Sequence, residues 1–429
     1  MALLIKNAMI VNADGMERTP RDILMDKGRI VRIAPSIKGP DVNIIDAHEK
    51  FVLPGLIDIH VHLREPGRED KETIETGSRS AVKGGFTTIM CMPNTQPVID
   101  NAMVIEGILR EARRVGLVNI IPIGAITKGQ KGEELVDMFE LRDAGCLALS
   151  DDGQSVANTQ LMRLALDYAR MLGLMIVEHC QDPYASRGAV MNEGYFSTIL
   201  GMKGDPGFTE TVIVSRDIEI VKYLKTKMHF AHISLKRSLD LIRRAKEEGI
   251  QITCEVTPHH FTLTDMEVKT FDPNTKVNPP LRSQEDLDSL KVAIKDGVVD
   301  CIASDHAPHT QEDKEVGFEL APPGMIGLET SLGLAISELV NEKIISWPQL
   351  VAKMSLNPAK IMGLASKGAI QEGWDADITI VDPKADWIVK EDEIVSRSKN
   401  TPFLGRQLQG VVEATVVNGR VVYERGKAN

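Results

Sequence analysis

The chain has 429 residues, more than one ordinary domain needs, and 43% of them are hydrophobic, which is typical of a soluble globular protein. Its net charge of −11 argues against non-specific nucleic-acid binding. The five cysteines are dispersed and odd in number, so they indicate reduced, buried thiols and exclude a disulfide framework. From its composition and its first residues we expect no signal peptide and no membrane-spanning stretch. We therefore expect a cytoplasmic protein that binds neither nucleic acid nor membranes.

Both ends of the chain have β character. Short apolar stretches are separated there by turn signals, and Asn418-Gly419 in the last of them is a strong hairpin signal. The stretches are residues 3–11, 22–33, 43–53, 376–381 and 410–423. We predict that residues 1–53 and 366–429 form one small β-sandwich domain, with two separate β appendages as the alternative.

The middle of the chain alternates between strand and helix patterns. The strand-like runs are residues 55–60, 87–92, 119–126, 146–150, 174–179, 228–233, 251–256 and 301–304. The helical patterns between them are residues 101–115, 132–144, 158–172, 210–224, 236–248 and 284–295. This alternation predicts an α/β fold, a (β/α)8 TIM barrel over residues 54–365 that forms the catalytic domain. A doubly wound open sheet is the alternative, but no G-x-G-x-x-G follows the first strand.

The first predicted barrel strand runs into His60-Val61-His62-Leu63-Arg64. Because successive side chains of a strand alternate between its faces, His60 and His62 point the same way and can share one cation. Arg64 adds a planar anion receptor two residues further on. A single pair of histidines is often only hydrogen-bonded, so the interpretation depends on the ends of the other strands.

Polar residues follow almost every predicted strand, at the end where barrel enzymes have their active sites. The later strands are followed by Asn94, by Asp151 and Asp152, by His179, by His232, by His259 and His260, and by Asp305, His306 and His309. Eight of the ten histidines are therefore expected at one rim. Any one of them alone would be interpreted as structural, but unrelated structural histidines have no reason to gather there.

The types of side chain at this rim indicate a metal. Imidazole and carboxylate ligands without thiolate favour Zn²⁺, or a divalent metal of similar preference. Enough ligands for two metals are provided by one bridging carboxylate together with His60, His62, His179, His232 and Asp305. A two-metal site about 3.5–4 Å across can hold a hydroxide and polarise a carbonyl. This chemistry predicts a hydrolase of a carbonyl–nitrogen bond, with a carboxylate that moves the proton.

These motifs resemble those of the amidohydrolase superfamily and, more narrowly, of its class I dihydroorotase family. The resemblance covers nearly the whole chain and is strongest in residues 58–65, 92–95, 149–153, 277–282, 304–309 and 321–330. It implies that His60 and His62 hold one zinc ion. The second zinc ion would be held by His179 and His232, with Asp152 as the bridge. One or two zinc ions per subunit are expected, and two are favoured.

Many members of the superfamily bridge their metals with a carboxylated lysine on strand four. Residues 146–152 contain no lysine, which favours a dihydroorotase over a hydantoinase, dihydropyrimidinase or allantoinase. Asp151 and Asp152 are adjacent and should face opposite ways, so only one of them can reach the metals. Spacing does not decide between them. The resemblance assigns the bridge to Asp152, and Asp151 is expected in a turn or cap.

The substrate of this family is a small cyclic ureide with a free carboxylate. The resemblance assigns substrate contacts to His62, Arg64, Asn94, Asn278, His309, Pro323 and Gly324. A carboxylate favours a planar cation with neutral donors beside it, which suits Arg64, Asn94 and His309. Asn278 and the backbone at Pro323 would hold the ring. Turn chemistry is the alternative for both asparagines, because each lies beside a proline.

The resemblance implies dihydroorotase activity, the reversible hydrolysis of (S)-dihydroorotate to N-carbamoyl-L-aspartate in de novo pyrimidine (UMP) biosynthesis. A metal-bound hydroxide would attack, with Asp305 as metal ligand and catalytic acid–base. The alternatives are another cyclic amidase and a metal-poor pseudoenzyme that serves as a partner subunit. We expect a homo-oligomer, in the simplest case a dimer, and leave association with aspartate transcarbamoylase open. Residues 309–323 are expected to form a loop, either a lid or an ordinary solvated loop.

Overall fold

The computed structural model describes residues 2–38 and 42–427, and its N-terminal part is a set of short strands. The strands are β1 Leu3–Asn12, β2 Gly15–Met16, β3 Arg21–Asp26, β4 Arg29–Ala34, β5 Asn43–Asp46 and β6 Phe51–Pro54. A turn at Lys27 and Gly28, with φ angles of 49° and 77°, divides the stretch predicted over residues 22–33 into β3 and β4. Glycine suits this left-handed backbone because it has no Cβ to clash.

Ten strands follow in the middle of the chain. They are β7 Leu56–Val61, β8 Phe86–Cys91, β9 Asn119–Pro122, β10 Ala148–Leu149, β11 Met175–Glu178, β12 Met191–Asn192, β13 Gly204–Asp205, β14 Lys227–Phe230, β15 Gln251–Val256 and β16 Cys301–Ile302. β12 and β13 pair only with each other, while the other eight form the parallel runs β7–β8–β9 and β10–β11–β14–β15–β16. The bridges Gly124–Leu149 and Val61–His306 join the two runs into a closed barrel. The predicted TIM barrel is confirmed.

Five barrel strands are shorter than predicted: β9, β11 and β14 have four residues each, and β10 and β16 have two each. Near the rim, side-chain carboxylates replace the carbonyl groups of a neighbouring strand. Asp151 accepts hydrogen bonds from the backbone N–H groups of Ile126 and Thr127, and Asp58 accepts one from Ser304. The ladder therefore ends early while the chain stays fixed.

Helices surround the barrel and connect its strands. They are α1 Ile74–Lys83, α2 Ala102–Val115, α3 Met138–Asp143, α4 Thr159–Leu172, α5 Tyr195–Leu200, α6 Phe208–Leu224, α7 Lys236–Glu247, α8 Gln284–Asp296, α9 Gln311–Lys314, α10 Ser331–Ala335, α11 Trp347–Val351 and α12 Asn357–Ile361. Individual residues mark where these helices begin and end. In α4, the Asn158 side chain accepts hydrogen bonds from backbone N–H groups of the first turn, and Gly173, with φ 75°, ends the helix.

The helix predicted over residues 132–144 is wrong at its start, because α3 begins at Met138. The Asp137 side chain accepts a hydrogen bond from Glu140 N and caps the helix there. Residues 132–137 are not helical, because Thr127 and Leu135 form an antiparallel β-bridge. The cap and this bridge outweigh the apolar periodicity that suggested a longer helix.

The last strands return to the N-terminal ones. They are β17 Ile378–Ile388, β18 Gln407–Val417 and β19 Arg420–Glu424, with the predicted hairpin at Asn418 and Gly419. The sheet order is β19-β18-β17-β6-β1-β3-β4, with β2 and β5 also paired to β1. Because β6 pairs with β17, strands from both ends of the chain form one β-rich domain, as predicted. The domain limits at residues 53/54 and 365/366 stay a prediction.

Two expectations from composition concern burial. All five cysteines are buried thiols. Within residues 2–38 and 42–427, no helix is both long enough and apolar enough to cross a membrane.

Candidate metal centre and substrate pocket

The six side chains predicted as metal ligands lie together at the C-terminal rim of the barrel. They come from the ends of five strands and are His60 and His62 (β7), Asp152 (β10), His179 (β11), His232 (β14) and Asp305 (β16). All six are buried. Parallel barrel strands end at one rim, so residues far apart in the sequence meet there.

Asp152 lies at the centre of this cluster. Its Oδ1 atom is 3.3 Å from His60 Nε2, 3.5 Å from His179 Nδ1 and 3.4 Å from His232 Nε2. Its Oδ2 atom is 3.5 Å from His62 Nε2. One carboxylate therefore contacts all four imidazoles, which is the position that a bridging ligand needs.

Asp305 closes the cluster from the last strand. Its Oδ1 atom is 3.1 Å from His62 Nε2 and 3.5 Å from His60 Nε2. The backbone at Asp305 has φ 47°, and Arg64 and His232 are left-handed as well, with φ 62° and 29°. Such a backbone costs a non-glycine residue about 1–3 kcal/mol and is concentrated at functional sites. The rim thus holds its polar side chains in place against a local conformational cost.

The cluster contains two buried carboxylates that stay ionised. Burial acts to raise the pKa of Asp152, but the surrounding imidazoles, with His60 foremost, hold that pKa well below its ordinary value. Burial also acts to raise the pKa of Asp305, but His60 and His62 hold that pKa below its ordinary value. Burial would lower the pKa of His60, but Asp152 and Glu255 raise it well above its ordinary value. Ionised carboxylates in such a buried place need cations as partners.

The donor atoms fit a divalent metal. Among the residues that the structure describes, His60 Nε2 is buried without a hydrogen-bond partner, although carboxylate oxygens lie 3.3 and 3.5 Å away. Two groups of three residues here each offer candidate ligand atoms that all lie within 4.8 Å of one another. One group is His60, His62 and Asp305, and the second is His60, Asp152 and His232. His179 joins the second group, since its Nδ1 atom is 2.9 Å from His232 Nε2. The structure thus places His60 in both groups, whereas the prediction paired it with His62 alone.

Three polar residues inside the barrel were not predicted. Glu255 on β15 lies behind His60, with Oε1 2.6 Å from His60 Nδ1, and its Oε2 atom is 3.1 Å from His229 Nε2. Asp58 accepts from the backbone N–H groups of His60 and Ser304, each at 3.0 Å, and so ties the first barrel strand to the last. The signal that could have found them was a charged residue inside an apolar strand, because buried charges need partners.

A pocket of about 190 Å³ opens onto the cluster. It is lined by His62, Arg64, Asn94, Asp152, Gly153, His179, Asn278, Asp305, Ala307, His309, Pro322, Pro323 and Gly324. All seven residues predicted to contact the substrate are among them, and Gly153, Ala307 and Pro322 were not predicted. Pockets for drug-sized ligands measure about 300–1,000 Å³, so this one suits a smaller ring.

Arg64 and His309 form one wall of the pocket, with Arg64 Nη2 3.5 Å from His309 Nε2. His309 Nε2 lies 2.9 Å from the Pro323 carbonyl, and its Nδ1 atom lies 3.0 Å from Lys71 Nζ. Burial, Arg64 and Lys71 all lower the pKa of His309, so this imidazole is neutral. Burial lowers the pKa of Arg64 to about 10, which leaves the guanidinium charged at neutral pH. The wall therefore combines a planar cation with a neutral ring.

Two asparagine amides complete the lining. Asn94 Oδ1 lies 2.8 Å from His62 Nδ1, and since an amide oxygen only accepts, His62 carries a proton at Nδ1. Asn278 exchanges two hydrogen bonds with Gln181, at 2.8 and 2.9 Å, and its Nδ2 atom lies 3.3 Å from His179 Nε2. Both amides face the ligand cluster, so turn chemistry alone does not account for them.

Residues 309–323 form the outer edge of the pocket and contain the short helix α9, where only a loop was predicted. Lys314 Nζ donates to the carbonyl groups of Pro273 and Pro322, at 3.0 and 2.8 Å. Lys276 Nζ donates to two carbonyl groups within the segment, at 3.0 and 2.9 Å. Buried lysines thus hold this segment against the neighbouring loop. That it acts as a lid stays a prediction.

The residues expected to have supporting roles lie outside the pocket lining. Asp151 turns away from the cluster and accepts from two backbone N–H groups, at 2.8 and 3.1 Å. His260 Nε2 lies 3.0 Å from a backbone carbonyl, and His306 Nε2 lies 3.2 Å from Glu72. His259 and Cys180 are buried.

The fold and the site together define a class of protein. Imidazoles and carboxylates gathered at the C-terminal rim of a (β/α)8 barrel, beside a pocket for a small ligand, are what an amidohydrolase needs. The model of the family described as Dihydro-orotase-like matches residues 49–238, and the model of the Amidohydrolase family matches residues 224–423.

The chain belongs to the dihydroorotase family. It is 49% identical over 424 residues to a dihydroorotase of Pelotomaculum thermopropionicum, and the match covers 99% of each chain. It is 46% identical over 426 residues to a dihydroorotase of Geotalea daltonii, over 99% of this chain and 100% of that one.

Solved structures share the whole fold. The L-hydantoinase (dihydropyrimidinase) of Arthrobacter aurescens matches with a TM-score of 0.88 and 28% identity, over 100% of this chain and 97% of that one. A dihydropyrimidinase of Brevibacillus agri matches with a TM-score of 0.84 and 22% identity, over 100% and 96% of the two chains. Because its identity is only 22%, the similarity to the second structure shows the fold alone.

Proposed function

We propose that this member of the dihydroorotase family, a cyclic amidohydrolase of pyrimidine biosynthesis, is a zinc-dependent enzyme that interconverts (S)-dihydroorotate and N-carbamoyl-L-aspartate. The observation that supports it most is one pocket with two chemically different sides. A cluster of buried ligands lies on one side, and an arginine with neutral donors lies on the other. The first suits an amide that is to be hydrolysed, and the second suits a carboxylate on the same small ring.

Two zinc ions would be held by His60, His62, Asp152, His179, His232 and Asp305. When bound, they supply Lewis acidity that polarises the amide carbonyl and lowers the pKa of water. Asp152 would be the ligand shared by both ions, because its carboxylate contacts all four imidazoles. The chain's own part is to hold these donors in place before the substrate arrives.

The wall of the pocket binds and orients the substrate. Arg64 offers two parallel N–H groups to the substrate's carboxylate, and the neutral Asn94 and His309 complete the recognition. Asn278 and the backbone at residues 323–324 hold the ring. Gly324 has φ 131°, and a Cβ there would lie 2.8 Å from Ala307 Cβ. Because glycine has no Cβ, the backbone at this position can pack closely against Ala307.

Asp305 moves the proton. In hydrolysis, an oxygen of water bonds to the ring carbonyl carbon and the carbon–nitrogen bond breaks. Asp305 is ionised, so it accepts the proton that the attacking water loses, and it then delivers that proton to the leaving ring nitrogen. His62 Nε2, 3.1 Å from Asp305 Oδ1, limits how the carboxylate can turn. Ring closure uses the same groups in reverse.

The bridging position distinguishes this activity from that of a hydantoinase. Residues 146–152 contain no lysine, and the carboxylate found at the centre of the cluster belongs to Asp152. A protein without the bridging lysine is expected to prefer dihydroorotate over hydantoin, dihydrouracil and allantoin.

The test is an assay of the full chain with these four rings, before and after removal of metal with a chelator. We expect dihydroorotate to be hydrolysed fastest, activity to disappear with the chelator, and added zinc to restore it with up to two ions per subunit. Faster hydrolysis of another ring would contradict the substrate. Full activity of the metal-free protein would contradict the zinc requirement.

We also propose a homo-oligomer, in the simplest case a dimer, on the strength of the family resemblance, and we carry association with aspartate transcarbamoylase as a second prediction. Light scattering of the purified chain, alone and mixed with aspartate transcarbamoylase, tests both. A monomer that does not change mass in the mixture would contradict them.

A further inference from the structure

Glu255 lies one layer beneath the ligand cluster and has no part in the proposed reaction. Its carboxylate is fully buried, with Oε1 2.6 Å from His60 Nδ1 and Oε2 3.1 Å from His229 Nε2. His229 is fully buried too, and its Nδ1 atom lies 2.7 Å from Thr253 Oγ1. These contacts form an unbroken line of hydrogen bonds from the barrel interior to His60.

We propose that Glu255 and His229 are positioning residues that hold His60 in the tautomer and orientation required to bind the metal. The proposal rests on the proposed function, because it assumes that His60 is a ligand.

The direction of the first hydrogen bond follows from the geometry around Glu255. Its two carboxylate oxygens each lie within hydrogen-bond distance of one imidazole nitrogen, so the imidazoles donate and the carboxylate accepts. His60 Nδ1 therefore carries a proton and donates it. The remaining nitrogen, Nε2, is the one that faces Asp152 and Asp305, at 3.3 and 3.5 Å. A carboxylate behind a ligating imidazole orients the ring and raises its basicity.

His229 restrains Glu255 in turn. Its Nε2–H donates to Glu255 Oε2, and its Nδ1 atom lies 2.7 Å from the Thr253 hydroxyl oxygen. His229, Glu255 and Cys301 are also close enough together to hold a metal. However, both oxygens of Glu255 already accept from imidazoles, and burial raises the pKa of the Cys301 thiol well above its ordinary value. The network is therefore complete as a set of hydrogen bonds.

The experiment compares zinc affinity in the full chain and in three variants. Glu255→Gln removes the charge at nearly constant shape, and His229→Gln keeps a donor but removes the ring. Asp377→Asn is the matched control, a buried carboxylate of the β-rich domain that accepts from Asn418 N at 2.7 Å. Zinc affinity is measured by competition with a chromophoric chelator, the fold by thermal unfolding, and the His60 tautomer by ¹⁵N NMR of histidine-labelled protein.

We expect Glu255→Gln to fold and to bind one zinc ion about 10–100-fold more weakly, the usual effect of removing such a partner. The His60 Nδ1–H signal should change, and saturating zinc should restore most of the turnover. His229→Gln should show a smaller effect of the same sign, and Asp377→Asn none.

Wild-type zinc affinity in folded Glu255→Gln would overturn the proposal. If that variant does not fold, His229→Gln decides by the same criterion. Failure of the proposed function looks different, since the wild-type chain would then bind no zinc and leave dihydroorotate intact. A wild-type chain that binds zinc beside variants that bind it equally well contradicts the positioning role alone.

Discussion

The inner and outer sides of the pocket are built in different ways. The inner side, the ligand cluster, consists of residues at the ends of barrel strands. The outer side, with Arg64 and His309, consists of loop residues that distant segments hold in place. Asn400, near the C-terminus, accepts from His309 N at 3.0 Å and donates to the carbonyl groups of Ala307 and Gly324, each at 3.1 Å.

This difference predicts which property a substitution on each side of the pocket should change. Barrel topology alone brings the strand ends together, so a substitution in the cluster removes chemistry without moving its neighbours. The outer side depends on individual side-chain contacts, so a substitution there should change affinity or the response to pH. Four substitutions test this division.

Asp305→Asn should have the largest effect. An amide cannot accept the proton, so kcat should fall by about 10²–10⁴-fold while KM changes little. Steady-state kinetics with dihydroorotate measure both, and thermal unfolding should show a retained fold. Asp300→Asn is the control, because Asp300 precedes the same strand at its other end and pairs with Lys246. A near-normal rate in Asp305→Asn would remove Asp305 from the mechanism.

Arg64→Lys should act mainly on binding. Lysine keeps the charge but loses the planar pair of N–H groups, and a lost hydrogen bond to a charged group is worth about 1.5–3 kcal/mol, so KM should rise about 10–100-fold. The control is Arg216→Lys, since Arg216 makes a similar pair of bonds to Asp217 away from the pocket, at 2.8 and 3.1 Å. It should lower thermal stability and leave KM unchanged. An equal loss of kcat in Arg64→Lys would contradict the separation of the two sides.

Lys71→Met should raise KM by about 2–10-fold, the value of one ordinary hydrogen bond. Lys71 Nζ lies 3.0 Å from His309 Nδ1 and 2.9 Å from Asp313 Oδ2, so its loss frees the ring that stands beside Arg64. The rate at saturating substrate should stay the same. If kcat fell as far as in Asp305→Asn, Lys71 would belong to the chemistry.

Lys314→Met should have the smallest effect on turnover, and its expected signature is a change in the pH dependence of stability. Burial and Lys276 lower the pKa of Lys314 to about 7, against an ordinary value of 10.5. Between these values the unfolded chain binds more protons, so this group makes stability rise with pH, by at most about 1.4 kcal/mol per pH unit. The variant should therefore gain less thermal stability than the wild type from pH 7 to 9. Identical pH profiles would contradict the lowered pKa.

Local features of the sequence were enough to predict the barrel and the cluster of polar residues at its rim. Strand–helix alternation predicted eight parallel strands, and the end of each strand is a local feature of the chain. His60, His62, His179, His232 and Asp305 could therefore be assigned to one rim. The one ambiguity there was the adjacent pair Asp151 and Asp152, because spacing shows that two neighbours face opposite ways but not which of them faces inwards.

The contacts behind these residues are visible only in the folded protein. Glu255 is 195 positions from His60, and Asn400 is 91 positions from His309, so nothing local in the sequence marks either contact. Glu255 is a charged residue in the strand Gln251–Val256, but the strand pattern does not show which partner its side chain meets, and Lys71 resembles any lysine before a helix. A buried hydrogen bond is specified by two segments that meet only on folding. For that reason the polar residues at the strand ends were predictable from the chain, and the residues that contact them from behind were not.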